Sequence, residues 1–114
     1  MDFNTFFSKL KQWENQNHMF VVNKDRMKKV EQAYDIFEEI IHTYSPDAKV
    51  EMEINTPISD GSAVIWAETD ELIVKNIGDF VTVIQNADNF EIYPMTDGNI
   101  KIAITFQNVM TLIK

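Results

Sequence analysis

The chain has 114 residues, a formal charge of −8 from 18 Asp/Glu against 10 Lys/Arg, 45% hydrophobic residues and no cysteine. This suits one folded domain, 1–114, with its own core, and excludes a disordered chain, a disulfide scaffold, thiol catalysis and Cys-ligated zinc or iron–sulfur sites. Residues 45–114 hold eleven Asp/Glu and four Lys/Arg, so no basic groove for nucleic acid is expected, because that affinity rests on Lys and Arg.

In "DFNTFFSKLKQW", Phe3, Phe6, Phe7, Leu10 and Trp13 recur at three- and four-residue steps, which predicts a helix that Asp2 can cap. Asp2, Lys9, Lys11 and Glu14 interrupt any signal-peptide centre, and no apolar run reaches membrane-spanning length. The chain is therefore expected to be soluble and cytoplasmic, without a membrane partner. His18 follows Glu14 by four residues but reads as a helix-end residue beside Asn15 and Asn17.

After a short break at "HMFVV", Met27, Val30, Tyr34, Phe37, Ile41 and Tyr44 form the stripe of a second helix, flanked by Ala33, Ile36 and Ile40 and stopped by Pro46. The basic cluster Lys24, Arg26, Lys28 and Lys29 reads as a solvated helix end. Glu39-x-x-His42 has the spacing of half a carboxylate-bridged di-metal site, which draws its remaining ligands from further helices that this chain lacks. Helical phase turns Glu39 away from the stripe and His42 to its side, so Glu31, Asp35, Glu38 and His42 read as a solvated ridge. Neither metal nor cofactor is expected.

From residue 49 the period becomes two. "KVEMEIN", "AVIWAE", "ELIVKNI", "FVTVIQ", "FEIYPM" and "IKIAITF", separated by turn residues, predict five or six strands in a meander of hairpins, with "QNVMTLIK" as a short helix or a frayed end. Asp and Gly in these turns serve turn geometry, and none of the segments fits a calcium loop.

Two-residue loops at Thr69-Asp70 and Gly78-Asp79 would collect Ile65, Ala67, Leu72, Val74, Val81, Val83, Phe90 and Ile92 on one face. A left-handed Gly98 would add Ile100, Ile102, Ile104 and Phe106. That face is the expected core. The opposite face would hold Val64, Trp66, Ile73, Ile77, Phe80, Ile84 and Tyr93, with Trp66, Ile73 and Ile84 side by side and Glu68 and Glu71 among the rim. An apolar patch of that extent needs a cover: helix one, the C-terminal segment, a second copy in a homodimer, or a heterologous partner or ligand.

The expected architecture is α+β, with two N-terminal helices (about 2–44) packed on one face of a five- to six-stranded antiparallel meander sheet (about 49–106). No phosphate-cradling glycine loop or nucleophile motif is present, which favours a non-enzymatic role without excluding an enzyme. The expected function is a small acidic protein-interaction module of the antitoxin, immunity or accessory-subunit type, docking through the outer sheet face. The alternative is a small-molecule-binding protein or enzyme with a cavity between helices and sheet, lined by Met27, Tyr34, Tyr44 and Met52.

Overall fold

The structure, a computed structural model, describes residues 1–16, 18–55 and 61–112. Helix α1 spans Phe3–Gln16 and buries Phe6 and Leu10 completely, as its apolar spacing demands. Asp2 caps it: its carboxylate accepts the Thr5 N–H at 2.8 Å, which holds the carboxyl below its ordinary range. Strand β1 (Phe20–Val22) follows, and then α2 (Lys24–Tyr44), capped by Asn23, whose side chain accepts the Arg26 N–H at 3.1 Å. The α2 stripe is buried at Met27, Val30, Ala33, Tyr34, Phe37 and Ile41.

The hairpin β2 (Val50–Asn55) and β3 (Ser62–Thr69) leads through a loop into α3 (Ile77–Gln85). Strands β4 (Asn89–Pro94), β5 (Ile100–Phe106) and β6 (Met110–Leu112) complete the described fold. The chain is thus α+β, with three helices and two antiparallel sheets, one of four strands in the order β2-β3-β5-β4 and one of two, β1-β6.

Two parts of the expected architecture are corrected. The segments around Ile73 and Ile84 are not strands: residues 71–76 form a loop and 77–85 a helix. Asn76 caps that helix by accepting the Asp79 N–H at 3.2 Å, and Thr82 donates its hydroxyl to the Gly78 carbonyl. Local capping and burial of Val83 against the core override the strand preference of Ile, Val, Phe and Thr. The C-terminal segment is not a helix either, since residues 110–112 pair with β1. The sheet is therefore not a meander: β3 and β4 both pair antiparallel with β5, which lies between them, so α3 carries the chain across a strand.

The core lies between the helices and one face of the larger sheet. Met52, Ile65, Ile104 and Phe90 are register neighbours across it, with Val50, Ala67, Ile102 and Ile92 one step away. Gly98 takes the expected left-handed conformation (φ +89°) in the β4–β5 turn, where the Met95 N–H donates to the Asn99 carbonyl at 2.8 Å. That parity buries Ile102, Ile104 and Phe106 fully.

Candidate functional site

The outer face of the four-stranded sheet is built by the residues between the core positions. Its central row is Glu51, Trp66, Ala103 and Glu91; on either side lie Glu53, Val64, Thr105 and Asn89, and Glu68, Lys101 and Tyr93. Val64, Trp66 and Tyr93 belong neither to the core cluster nor to the residues packed against it. Lys101 places its ammonium 4.5 Å from the centre of the Trp66 ring, and Ala103 beneath this layer is buried. The Trp66 indole N–H is shielded from solvent and has no hydrogen-bond partner among the described residues, a cost only partly offset by the cation above the ring.

Among the paired positions of the described strands, four glutamates, Glu51, Glu53, Glu68 and Glu91, share this face with one lysine, Lys101. Glu51 is engaged by the Met1 ammonium. The surface is thus an apolar centre with an acidic surround, as the spacing of β3 and β4 implies.

The structure divides the expected partner-binding residues. Val64, Trp66, Glu68 and Tyr93 lie on this face together. Ile73 sits in the loop after β3 and lines a shallow cleft beside Ile36, Ile40 and Tyr44 of α2, while Ile84 is half-buried on α3. Neither adjoins Trp66 in the sheet, because the two-residue hairpins that would align them do not exist. Glu71 is exposed in the same loop, where its carbonyl accepts the Thr69 hydroxyl at 3.0 Å.

The four residues expected to line one ligand cavity do not converge. Met27 borders a cleft of about 300 Å³ between α1 and α2, together with Phe3, Phe7, Lys24 and Lys28. Tyr34 is buried, with its hydroxyl donating to Glu38 at 3.0 Å; burial first, then that carboxylate, pushes its ionisation upward. Met52 is fully buried in the core. Tyr44 lies at the other end of α2, under the ammonium of Lys75.

In the Glu39-x-x-His42 motif, Glu39 is exposed, but His42 is half-buried and its Nε2 lies 2.7 Å from the Ala48 carbonyl oxygen. A carbonyl only accepts, so Nε2 carries the proton and the ring closes the α2–β2 connection. Among the described residues, no three His, Asp or Glu side chains are grouped to hold a metal ion, and no helix is long and apolar enough to cross a membrane.

A second exposed apolar surface includes Val81 and Ile92, which the sequence spacing assigns to the core. Ile77 and Val81 on α3 are 69% and 49% exposed, and Ile92 on β4 is 48% exposed although it stands beside the buried Ile102. Helix α3 reaches β4 at Phe90, where Phe80 packs edge-on against it, but leaves Ile92 uncovered. Asn76-x-x-Asp79 was the available signal, since an Asn followed three residues later by an acid marks a helix start.

Comparison with protein-family models finds no match for the chain, and comparisons with curated proteins and with solved structures find none either.

Proposed function

We propose that this chain is an acidic protein-interaction module of the antitoxin, immunity or accessory-subunit type, docking on a basic protein through the outer face of its larger sheet. The supporting observation is that Val64, Trp66 and Tyr93 stand outside the core on a face whose paired positions, among the described residues, carry four glutamates and one lysine. An aromatic anchor supplies desolvated contact area, and a one-signed surround speeds encounter with an oppositely charged partner while repelling like-charged ones. Glu68 and Glu91 flank the anchors, and Lys101 is the residue a partner cation would displace from the Trp66 ring.

The test uses Trp66→Glu as a matched bait. The variant keeps a cooperative melt, because position 66 is half-buried on the outer face and belongs to no part of the core cluster. Proteins captured by the wild-type chain and lost by the variant identify the partner, and raised salt weakens that capture. The reading fails if the variant unfolds or if both baits retain the same proteins. A wild-type dimer that Trp66→Glu dissociates would assign the face to a second copy instead.

A further inference from the structure

We infer that the free edge of β4 is a strand-addition site, which takes up an extended partner segment alternating apolar and basic side chains. The inference deepens the reading above, on which it rests for the existence of a basic protein partner, by naming how the partner's backbone is held.

The hydrogen-bond phase fixes which groups are open. The Met95 N–H donates to Asn99 in β4's pairing with β5, and the ladder alternates with a period of two. The odd-numbered residues of β4 therefore bond to β5, while the N–H and C=O groups of Phe90 and Ile92 and the C=O of Pro94 point away from the sheet. No described strand lies beyond β4. The opposite edge is in use: the Met52 N–H donates to the Met1 carbonyl at 2.9 Å. The two edges are thus unequal, and β4 is the one left open.

Side chains specify the occupant. On the core side of the edge, Ile92 is exposed and Phe90 packs edge-on against Phe80 of α3, the helix that also exposes Ile77 and Val81. An added strand would lay every second side chain along that apolar margin. On the outer side the edge presents Glu91 and Tyr93, continuous with Glu68 and Trp66. The intervening side chains would meet carboxylates and aromatic rings, which suit Lys and Arg.

Charge selects between a foreign segment and a second copy. Residues 76–100 contain Asp79, Asp88, Glu91 and Asp97 and no Lys or Arg. Pairing β4 with itself would bring two such segments together and would set Pro94, which has no N–H, into the new ladder. The same acidic charge that guards the edge against self-association leaves it open to a basic strand.

The probe is an acetylated and amidated peptide of about six residues alternating Val and Lys, with a twin N-methylated at alternate positions so that it cannot complete the ladder. In the free chain at low concentration, the Phe90 and Ile92 amides exchange with solvent far faster than those of Glu91 and Tyr93. The peptide slows the first pair by about tenfold or more, as expected for a gained hydrogen bond, and its methylated twin does not. Ile92→Pro deletes an outward N–H without touching the β5 ladder, so it stays folded and weakens the peptide by about tenfold.

Four results overturn the inference: protection of Phe90 and Ile92 already present in the dilute free chain, no slowing by the peptide, equal slowing by its twin, or unchanged affinity in folded Ile92→Pro. If that variant does not fold, the comparison of the two peptides on the wild-type chain decides alone. Trp66→Glu separates this result from the outer-face reading. Peptide protection that persists in Trp66→Glu places the backbone contact at the edge whatever the fate of the indole face, and capture lost in Trp66→Glu without edge protection leaves only the face.

Discussion

Arg26 and Asp88 close on one another around the backbone of Gln107. The Arg26 guanidinium donates through Nε to the Gln107 carbonyl at 3.0 Å and forms an ion pair with Asp88, while Asp88 accepts the Gln107 N–H at 2.8 Å. The guanidinium also lies 5.5 Å from the centre of the Phe106 ring. One residue of the basic cluster therefore ties the start of α2 to the α3–β4 turn and the end of β5. Arg26→Ala is expected to cost about 1–3 kcal/mol by chemical denaturation, and Lys28→Ala, with no such partner, within about 0.5 kcal/mol. Arg26→Lys recovers only part of the loss, because an ammonium cannot reach the carbonyl and the carboxylate in the fixed geometry of a guanidinium fork. Equal effects at positions 26 and 28 would remove the clamp from this account.

Val81 and Val83 separate the helix from the strand it replaces. Alternation would bury both, whereas α3 leaves Val81 49% exposed and Val83 fully buried. Val81→Lys should change stability by no more than about 0.5 kcal/mol, and Val83→Lys should cost several kcal/mol or prevent folding. Equal, severe losses in thermal melts would return this segment to a sheet.

Gly61 and Gly98 both have positive φ, +27° and +89°, but only Gly61 is crowded. A Cβ there would stand 3.0 Å from that of Met110, whereas one at Gly98 meets nothing within 4 Å. Gly98→Ala should cost about 1 kcal/mol from backbone strain. Gly61→Ala should cost more, since β6 must also shift. Denaturation midpoints of the two variants check the order, and a milder effect at position 61 would contradict the packing of Met110 against Gly61.

Glu14 links α1 to β1. Its carboxylate accepts from Lys11 at 2.8 Å and from the Val22 N–H at 2.6 Å, and these bonds, Lys11 first, hold its carboxyl below the ordinary value of 4.5. Above about pH 4.5 the group is ionised both folded and unfolded, and its stabilisation is complete. As pH falls through that value the unfolded chain takes up the proton first, and the contribution disappears by the time the folded carboxyl is protonated. Glu14→Gln should therefore be less stable than wild type at pH 7, with the gap narrowing below about pH 4.5. A gap that stays constant down to pH 3 would show that the bonds to Lys11 and Val22 add nothing.

The elements legible in the sequence were those whose burial follows a clean period. Phe3, Phe6 and Leu10, the α2 stripe from Met27 to Ile41, and the alternations of β2, β3 and β5 each present one apolar side, and the structure buries that side. Gly98 set the parity of β5 because only a left-handed residue fits its turn. Helix α3 does carry the helical spacing, in Ile77, Phe80, Val81 and Ile84 at three- and four-residue steps, but these residues are strand-prone one by one and the alternation of Val81 and Val83 reads equally as a strand. Strands β1 and β6 are three residues each and gain their structure from one another across the chain, which no local window registers. On the candidate surface, Trp66 and Tyr93 were placed correctly because their strands were, and Ile73 and Ile84 were misplaced because theirs were helix and loop.

The strand order also bears on how a growing polypeptide reaches this shape. The chain emits β4 before β5, yet among the described strands β5 is the one that pairs with β4, and it separates β4 from β3. While a ribosome still holds residues 100–106, β2 and β3 can zip as a hairpin, but Phe90 and Ile92 have no strand to lie against. β1, made near the start, waits longer still for residues 110–112. The nascent molecule therefore carries β1 and β4 unpaired until residues 100–112 have been released, and these non-local pairings close only then.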